Sequence, residues 1–348
     1  METKKTTTTR TGEGDRADRT MEAERPSRAA SSTGDMPRTG DAPIMKPYDG
    51  AKVASRVRVN KAYKMFVGGA FVRSESGRYF QVKNAPDQED ADPETVNIPR
   101  GSRKDVRDAV LAAKNAWHGW EKRTAYNRGQ ILYRLAEVME SRRPELTQSL
   151  VRGGQSEAAA AAEVDVSIDR VVFYAGFADK FYALLASSNP VAGPHFNFSI
   201  PEPMGTIGVV APDRPALPGL VSTILPVITG GNTCVALAGE RDPRTAIVWS
   251  ECIATSDMPG GVINILTGHA KELSAHIAKH REVIGIDAWI VDADLRKTVE
   301  SEGADNVKRV KTHVPMDPDA WNDERKAQGL GWIERFLETK TVWHPVGL

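Results

Sequence analysis

From Pro203 onward, short apolar runs alternate with segments of helical periodicity, and this alternation constrains the fold more than any other feature of the chain. Runs such as Thr206–Ala211 and Thr233–Ala238 are almost continuously apolar instead of alternating with polar residues. Continuous runs are typical of strands buried on both faces, as in a parallel sheet covered by helices. The pattern continues to a last strand at Val307–Lys311. It predicts an α/β fold with a doubly wound, Rossmann-like parallel sheet.

The residues before this region predict a hairpin followed by helices. Lys64–Val67 and Ala70–Arg73 flank a glycine pair and are expected to form an antiparallel hairpin that Tyr79–Val82 extends. Ser102 and Asp105 have the spacing of a capping box and predict the start of a helix. The N-terminal part of the fold is therefore expected to be a hairpin and amphipathic helices.

Composition narrows the possible partners and the compartment. The 348 residues contain 46 basic and 46 acidic residues, so no basic excess favours a nucleic-acid partner. No apolar stretch approaches the roughly 18 residues that predict a membrane span. The two cysteines, Cys234 and Cys252, are too few for a disulfide framework or a zinc site, which favours a reducing, cytoplasmic compartment.

Taken one at a time, few residues of the sequence indicate a metal site or a catalytic group. His276 and His280 lie four apart on a predicted helix, but no third ligand is near in sequence, so we expect a solvated face and no metal site. Cys252 could be a nucleophile, yet its apolar helix favours a small core residue. Asp165 and Asp169 share a face of a long alanine-rich helix, with Arg170 and Lys180 close by, and this group is interpreted as surface charge.

Five motifs, preceded by the hairpin at Met65–Phe71 and the helix at Ser102–Trp120, occur in order over about 250 residues and carry a family resemblance. They are Tyr174–Lys180, Glu202–Gly205, Gly231–Thr233, Pro259–Gly268 and Asn306–Val310. Together they resemble motifs of the aldehyde dehydrogenases. The chain as a whole is similar to the short bacterial aldehyde dehydrogenase-like proteins that keep the cofactor-binding domain and lack the catalytic domain.

The resemblance also shows where the chain departs from the family. Asp213 and Arg214 stand where the family has a tryptophan and the asparagine of the oxyanion hole. Leu237 replaces the lysine that holds the cofactor ribose, Glu240 keeps the ribose carboxylate, and Trp289 lies in a turn that is otherwise glycine-containing. The catalytic cysteine and general-base glutamate are missing. The resemblance thus implies no catalytic residues and no cofactor, with NAD(P) bound at most weakly.

The resemblance divides the chain into four parts. Residues 1–50 are expected to be a disordered tail, 51–314 a truncated NAD-binding domain, 315–331 a linker in place of the catalytic domain, and 332–348 an oligomerisation strand. Two association elements of the family are retained, the helix at Asp292–Gly303 and the strand at Glu338–Val342. A homo-oligomer, or a hetero-oligomer with a full-length aldehyde dehydrogenase, is therefore expected.

Three functions remain open at this point. The first is a non-catalytic structural or regulatory subunit. The second is an NAD(P)-dependent oxidoreductase that acts on aldehydes with non-standard residues such as Asp213 and Arg214. The third is a nucleotide- or metabolite-binding regulator that uses the cleft near Glu240.

Overall fold

A computed structural model describes residues 60–85 and 95–347 of the chain. The tail predicted over residues 1–50 lies outside these described residues. Among the helices that are described, none is long and apolar enough to cross a membrane.

The described residues form twelve β-strands, eleven α-helices and one 3-10 helix. The strands are β1 Met65–Val67, β2 Ala70–Val72, β3 Tyr79–Lys83, β4 Thr95–Pro99, β5 Ser187–Asn189, β6 His195–Pro203, β7 Thr206–Val210, β8 Thr233–Leu237, β9 Ile263–Leu266, β10 Val283–Trp289, β11 Arg309–His313 and β12 Leu337–Pro345. The helices are α1 Arg103–Glu121, α2 Ala125–Ser141, α3 Arg143–Arg152, α4 Glu157–Phe177, α5 Phe181–Leu185, α6 Ala216–Thr229, α7 Pro243–Ala254, α8 Ala270–Lys279, α9 Ala293–Ala304, α10 Glu324–Ala327 and α11 Leu330–Glu334, with the 3-10 helix at Pro318–Trp321.

The central sheet has the order β11-β10-β7-β8-β9-β1-β2, and its first five strands are parallel. The predicted α/β class with a doubly wound parallel sheet is confirmed. The first parallel strand in the sequence is the central strand β7. The next two, β8 and β9, lie on one side of it, and β10 and β11 lie on the other side. The strand order therefore reverses between β7 and β10, and ligands of open α/β sheets bind at the carboxyl ends of the strands at such a point.

The predicted hairpin is confirmed as β1 and β2, which pair antiparallel and add to the sheet through β9. The expected extension by Tyr79–Val82 is wrong, since β3 pairs with β4 in a separate two-stranded sheet. The strand β4 was not predicted. Its apolar residues are few, and only pairing with β3 makes it a strand.

The capping box is confirmed at the start of α1. The Ser102 side chain accepts hydrogen bonds from the backbone N–H groups of Lys104 and Asp105, and the Asp105 carboxylate accepts one from Ser102 N. These bonds satisfy amides at a helix end that have no partner within the helix. The sequence predicts the long alanine-rich helix from about Ser156 to Leu185, but the helix ends at Phe177, before the separate helix α5.

Residues 315–331 are more ordered than the loop expected from their polarity. They contain the 3-10 helix, α10 and the start of α11. The following strand β12 already has a partner within this chain. It pairs with β6 over nine residues, from Leu337 opposite Pro203 to Pro345 opposite His195. With β5 on the far side of β6, these strands form a three-stranded sheet in which β12 is at an edge.

Candidate functional site

A cleft of about 170 Å³ lies at the switch point between β7 and β10. Its walls come from the carboxyl ends of β7, β8 and β10 and from the starts of α8 and α9. Val210, Leu237 and Leu295 supply apolar surface, while Glu240 and Lys271 supply charge. The cleft therefore combines apolar walls with a few polar groups, as small-molecule sites usually do.

Asp213 lies at the rim of this cleft, where it holds two loops together. Its Oδ1 accepts a hydrogen bond of 2.7 Å from the backbone N of Glu240. Gly239 makes this contact possible, since a Cβ there would lie 2.8 Å from the carbonyl oxygen of Pro212. Arg214 is exposed and borders a separate cavity of about 130 Å³ beside Asp242. Asp213 and Arg214, the two residues at the family's active-site positions, both border this smaller cavity. Asp213 borders the cleft as well, and Arg214 does not.

Glu240 is bound on both carboxylate oxygens. Its Oε2 lies 2.8 Å from His269 Nδ1, and its Oε1 accepts a bond of 2.6 Å from the backbone N of Ala270 at the start of α8. The positive end of the helix dipole and its free amides favour an anion at this place. The carboxylate is thereby fixed at the mouth of the cleft with about a third of its side chain exposed.

Lys271 and Asp292 form the opposite rim. The Nζ of Lys271 lies 3.3 Å from Asp292 Oδ2. Asp292 also caps α9, because its Oδ1 accepts hydrogen bonds from the backbone N of Asp294 and of Leu295. These bonds, followed by the Lys271 cation, lower the pKa of Asp292. The rim therefore carries one cation and one anion close together.

Trp289 borders the cleft and does not fill it. Its ring is 6% exposed and packs into a cluster outside the cleft, where it stacks on His313 at a centroid distance of 4.2 Å and on Trp332 at 5.5 Å. Trp321 meets it edge-on at 4.9 Å. The guanidinium of Arg335 covers Trp332 at 4.0 Å, a cation–π contact. We call Trp289 and residues 313–336 together the tryptophan cap, because these side chains close the carboxyl ends of β10 and β11.

A buried acid secures one end of the tryptophan cap. Asp287 on β10 is 1% exposed, and its Oδ1 lies 3.0 Å from His313 Nε2. Its Oδ2 lies 3.7 Å from Nη1 of Arg335. A buried carboxylate needs such partners because the desolvation of an isolated charge is costly.

Arg170 secures the other end, and the prediction of surface charge for it is wrong. It is 2% exposed, and its Nη1 donates to the carbonyl oxygen of Ala327 and to Ser222 Oγ, both at 2.6 Å. Its Nη2 donates to the carbonyl oxygen of Trp321 at 3.0 Å. Burial lowers the pKa of Arg170. The residue ties α4 and α6 to carbonyl groups of the tryptophan cap.

The remaining candidates from the sequence are placed away from the cleft. Cys252 is fully buried, as predicted, and burial raises the pKa of its thiol to about 12. Cys234 is also buried, and burial raises its pKa. His276 lies on α8 and His280 directly follows its last residue, and within the described residues no group of three or more His, Cys, Asp or Glu side chains could hold a metal ion.

Sequence reasoning missed His269, Lys271 and the tryptophan cap. His269 and Lys271 follow β9 at the carboxyl end of the sheet, so their place in the chain could have indicated a role beside Glu240. Trp321 gave no comparable signal, because it stands alone in a polar segment, and Trp332 lies in a short apolar stretch that does not indicate its partners.

Comparison with known proteins identifies relatives over most of the folded region. The model of the aldehyde dehydrogenase family matches residues 71–313. Human retinal dehydrogenase 2 is 33% identical over 258 residues, which are 72% of this chain and 48% of the relative. The structure of HpcC from Thermus thermophilus superimposes with a TM-score of 0.67 at 27% identity, covering 73% of this chain and 48% of that one. The chain thus spans about half the length of the relatives it matches.

These comparisons correct the prediction about the cofactor. An aldehyde dehydrogenase from Bacillus cereus, solved as its NAD+ complex, has the same fold, with a TM-score of 0.65 at 22% identity over 72% of this chain and 50% of that one. The family and such neighbours point to NAD(P) binding, so the expectation of no cofactor, or of NAD(P) bound at most weakly, is wrong. Its physical basis was that Trp289 would block the cofactor's approach, whereas the ring packs into the tryptophan cap and leaves the cleft open beside Leu237 and Glu240.

Proposed function

The chain belongs to the aldehyde dehydrogenase family, and from that premise we propose that it is a non-catalytic member that acts as a structural or regulatory subunit. The observation that carries this proposal is the tryptophan cap, in which Trp289, Trp321 and Trp332 pack over the carboxyl ends of β10 and β11. This is where the resemblance leads one to expect the second domain. The chain supplies a dry aromatic cluster there in place of reactive groups.

The groups around the cleft support the same proposal. Acyl-transfer chemistry on an aldehyde needs a nucleophile and donors for a developing oxyanion. Cys252 is the candidate nucleophile, and it is enclosed in α7 with a raised pKa. Asp213 is a hydrogen-bond acceptor that already binds the Glu240 amide, so it offers no donor to an oxyanion.

We further propose that the cleft holds a nicotinamide dinucleotide by its adenosine end. Leu237 and Leu295 would contact the base, Glu240 would accept hydrogen bonds from ribose hydroxyls, and Lys271 would attract the pyrophosphate. The cleft is smaller than the roughly 300–1,000 Å³ of sites that enclose whole ligands. The bound dinucleotide would act as a structural or regulatory ligand, since the described residues beside the cleft supply no nucleophile to form the aldehyde adduct that would donate a hydride to it.

An activity assay tests the catalytic part of the proposal. The purified chain, mixed with NAD+ or NADP+ and short aliphatic or aromatic aldehydes, should produce no reduced cofactor. Turnover that disappears in Cys252→Ala would contradict the proposal and identify that thiol as a nucleophile. Turnover that persists in Cys252→Ala would contradict it too, and would favour an oxidoreductase built on residues such as Asp213 and Arg214.

The sheet β5-β6-β12 supports a role in association. One face carries apolar side chains from both long strands. Val342 of β12 lies opposite Phe198 of β6, and Phe196 lies on the same face, two residues before Phe198. The rings of Phe196 and Phe198 are 5.4 Å apart, and Phe196 is 49% exposed. The outer edge of β12 has no neighbouring strand among the described residues. An exposed edge beside an apolar face is suited to strand addition by a second chain.

We infer that this sheet joins the chain to a second copy of itself or to a full-length aldehyde dehydrogenase. The test is the mass in solution, measured by light scattering, of two truncations. A chain that ends after Glu338 keeps Leu337, whose carbonyl oxygen Arg309 binds, but loses most of β12. A chain that ends after Pro345 keeps all of β12 and serves as the matched control.

We expect the wild type and the control to form oligomers, alone or with the full-length relative, and the shorter chain to be monomeric. Thermal melts show whether the shorter chain still folds. A wild type that stays monomeric alone and in the mixture would contradict the inference.

We also infer a cytoplasmic location, because the cysteines that the structure describes are free thiols and disulfides are rare in that compartment.

A further inference from the structure

A second cavity, larger than the cleft, lies between α1 and α8. It measures about 860 Å³, and none of its lining residues borders the cleft. Three elements form its walls, namely the turn before β3, the first turns of α1 and the last turns of α8. Val106, which is 1% exposed, lies at its base. Its chemistry is therefore independent of the proposed cofactor site.

The lining is strongly cationic in a chain whose net charge is zero. Among the described residues, the lining contains five Arg or Lys residues, two histidines and one carboxylate, Glu75. Three of the five cations have ion-pair partners: Lys104 with Glu75 at 2.8 Å, Arg107 with Asp108 at 2.8 Å and Lys279 with Glu302 at 2.9 Å.

The other two cations form no ion pair with a carboxylate of the described residues. Within the described residues, Arg78 and Arg103 take part in no ion pair and donate no side-chain hydrogen bond. His276 also lines the cavity and is likewise unpaired in the part of the chain that is described. Glu272 interacts with Arg78 at longer range but is already paired with Arg100, so the described residues neutralise the positive potential of the cavity only in part.

The position of Arg103 adds a second argument. It is the first residue of α1, and Lys104 and Arg107 follow within the first two turns. The helix dipole makes cations unfavourable near a helix N-terminus. Glu75 and Asp108 offset Lys104 and Arg107, and Asp105 supplies an acid in the first turn, but Arg103 has no such partner among the described residues and reduces the stability of the helix start.

The wall that carries Arg78 is held in place. Ser74 Oγ donates to Asp105 Oδ2 at 2.9 Å, and the backbone N of Glu75 donates to Asp105 Oδ1 at 3.0 Å. Asp105 is 6% exposed and belongs to the first turn of α1. The turn and the helix are thus fixed relative to each other, so Arg78 and Arg103 border one preformed cavity.

From this charge and geometry we propose that the cavity binds a small, multiply phosphorylated anion. Guanidinium groups match phosphate oxygens in a two-point geometry, and the Ser76 and Ser102 side chains border the same space. No aromatic ring lines the cavity apart from the histidine imidazoles, so recognition addresses phosphate groups and not a nucleobase. The anion would also offset the unfavourable cations at the start of α1.

Calorimetric titration of the full chain at low ionic strength tests the proposal. The probes are inorganic tripolyphosphate, fructose 1,6-bisphosphate and citrate. We expect tripolyphosphate or the sugar bisphosphate to bind, and Arg103→Gln or Arg78→Gln to weaken that binding about tenfold. The tighter of the two phosphates distinguishes an inorganic from an organic source. Citrate binding as tight as that of the phosphates would overturn the assignment.

Lys122→Gln is the matched control, because it removes one charge at the other end of α1, roughly 28 Å along the helix. This variant should bind the phosphates as the wild type does. Equal affinity in all four proteins would show unspecific attraction and overturn the site. Arg103→Gln should not lower the melting temperature, since it removes an unfavourable cation from a helix start, and this readout separates lost binding from lost folding.

Discussion

The carboxyl end of the sheet has a closed side above β10 and β11 and an open side above β7 and β8. Above β10 and β11, the tryptophan cap buries Trp289, Trp321 and Trp332 against one another. Above β7 and β8, the surface remains an open cleft with Glu240 and Lys271 at its mouth. The same set of parallel strands supports both halves, so the difference comes from the segments that follow the strands.

The comparison teaches that stability and binding capacity are separated in this chain. On the closed side, aromatic burial contributes to the free energy of folding and leaves few polar groups for a ligand. On the open side, Glu240 is bound by His269 and the start of α8 but stays about a third exposed. Changes on the closed side should therefore affect mainly stability, and changes on the open side mainly affinity.

The largest expected effect is on the closed side. Trp321→Ala removes a fully buried ring and should lower the free energy of unfolding by about 3–5 kcal/mol. The loss combines hydrophobic burial with the cavity left beside Trp289 and Trp332. Chemical denaturation followed by circular dichroism measures it.

The matched control for this change is Trp343→Ala in β12, where the ring is 60% exposed. This substitution should change the stability of the unassembled chain by less than about 0.5 kcal/mol. Similar effects of the two substitutions would contradict the view of the tryptophan cap as an integral part of the core.

The open side was largely predictable from the sequence, because it depends on local patterns. The continuous apolar runs of β7 and β8 predicted buried parallel strands, and their order fixed the place of the cleft. The resemblance then placed Asp213, Leu237 and Glu240 near one another, and these residues do border one cleft. What it could not give is the hydrogen bond from the Glu240 amide to Asp213, which depends on how two loops pass each other.

The closed side was not predictable, because its contacts join residues far apart in the chain. Arg170 binds the carbonyl oxygen of Ala327, 157 positions later, and no local pattern indicates that partner. One signal was present on α4 itself. Glu163, Ser167, Arg170 and Tyr174 recur at helical spacing, and all four are buried. This polar stripe beside the apolar stripe indicated a second contact face.

The next effect, of intermediate size, concerns a buried carboxylate beneath the open side. Glu163 is 8% exposed and accepts a bond of 2.7 Å from Gln155. Burial raises its pKa from 4.5 to about 7, although a hydrogen bond from the Leu217 backbone opposes the shift. A raised carboxyl pKa means that the folded state keeps a proton that the unfolded state has released. Stability should therefore fall as pH rises from about 4.5 to about 7, by roughly 2–3 kcal/mol.

Denaturation at pH 5 and pH 8 measures this change. Glu163→Gln cannot ionise, so it should be about as stable as the wild type at pH 5 and about 2 kcal/mol more stable at pH 8. Glu157→Gln, at an exposed position on the same helix, should show no such difference between the two pH values. A stability of Glu163→Gln that stays parallel to the wild type over this range would contradict the prediction.

The smallest expected effect is on the open side and appears in affinity. Glu240→Gln replaces a carboxylate that would accept hydrogen bonds from ribose hydroxyls with a neutral amide, and charge-assisted bonds are the stronger ones. We expect NAD+ to bind about tenfold more weakly, which corresponds to about 1.4 kcal/mol. The melting temperature without ligand should change little, because the glutamine oxygen can still accept the hydrogen bond from the backbone N of Ala270. Calorimetry with NAD+ measures the affinity, and Glu334→Gln, at an exposed position on α11 of the tryptophan cap, is the control that should leave it unchanged. Equal affinities in Glu240→Gln and the wild type would remove the ribose contact from the proposal. An equal loss in Glu334→Gln would mean that the ligand extends over the closed side, and the separation of stability from binding would then fail.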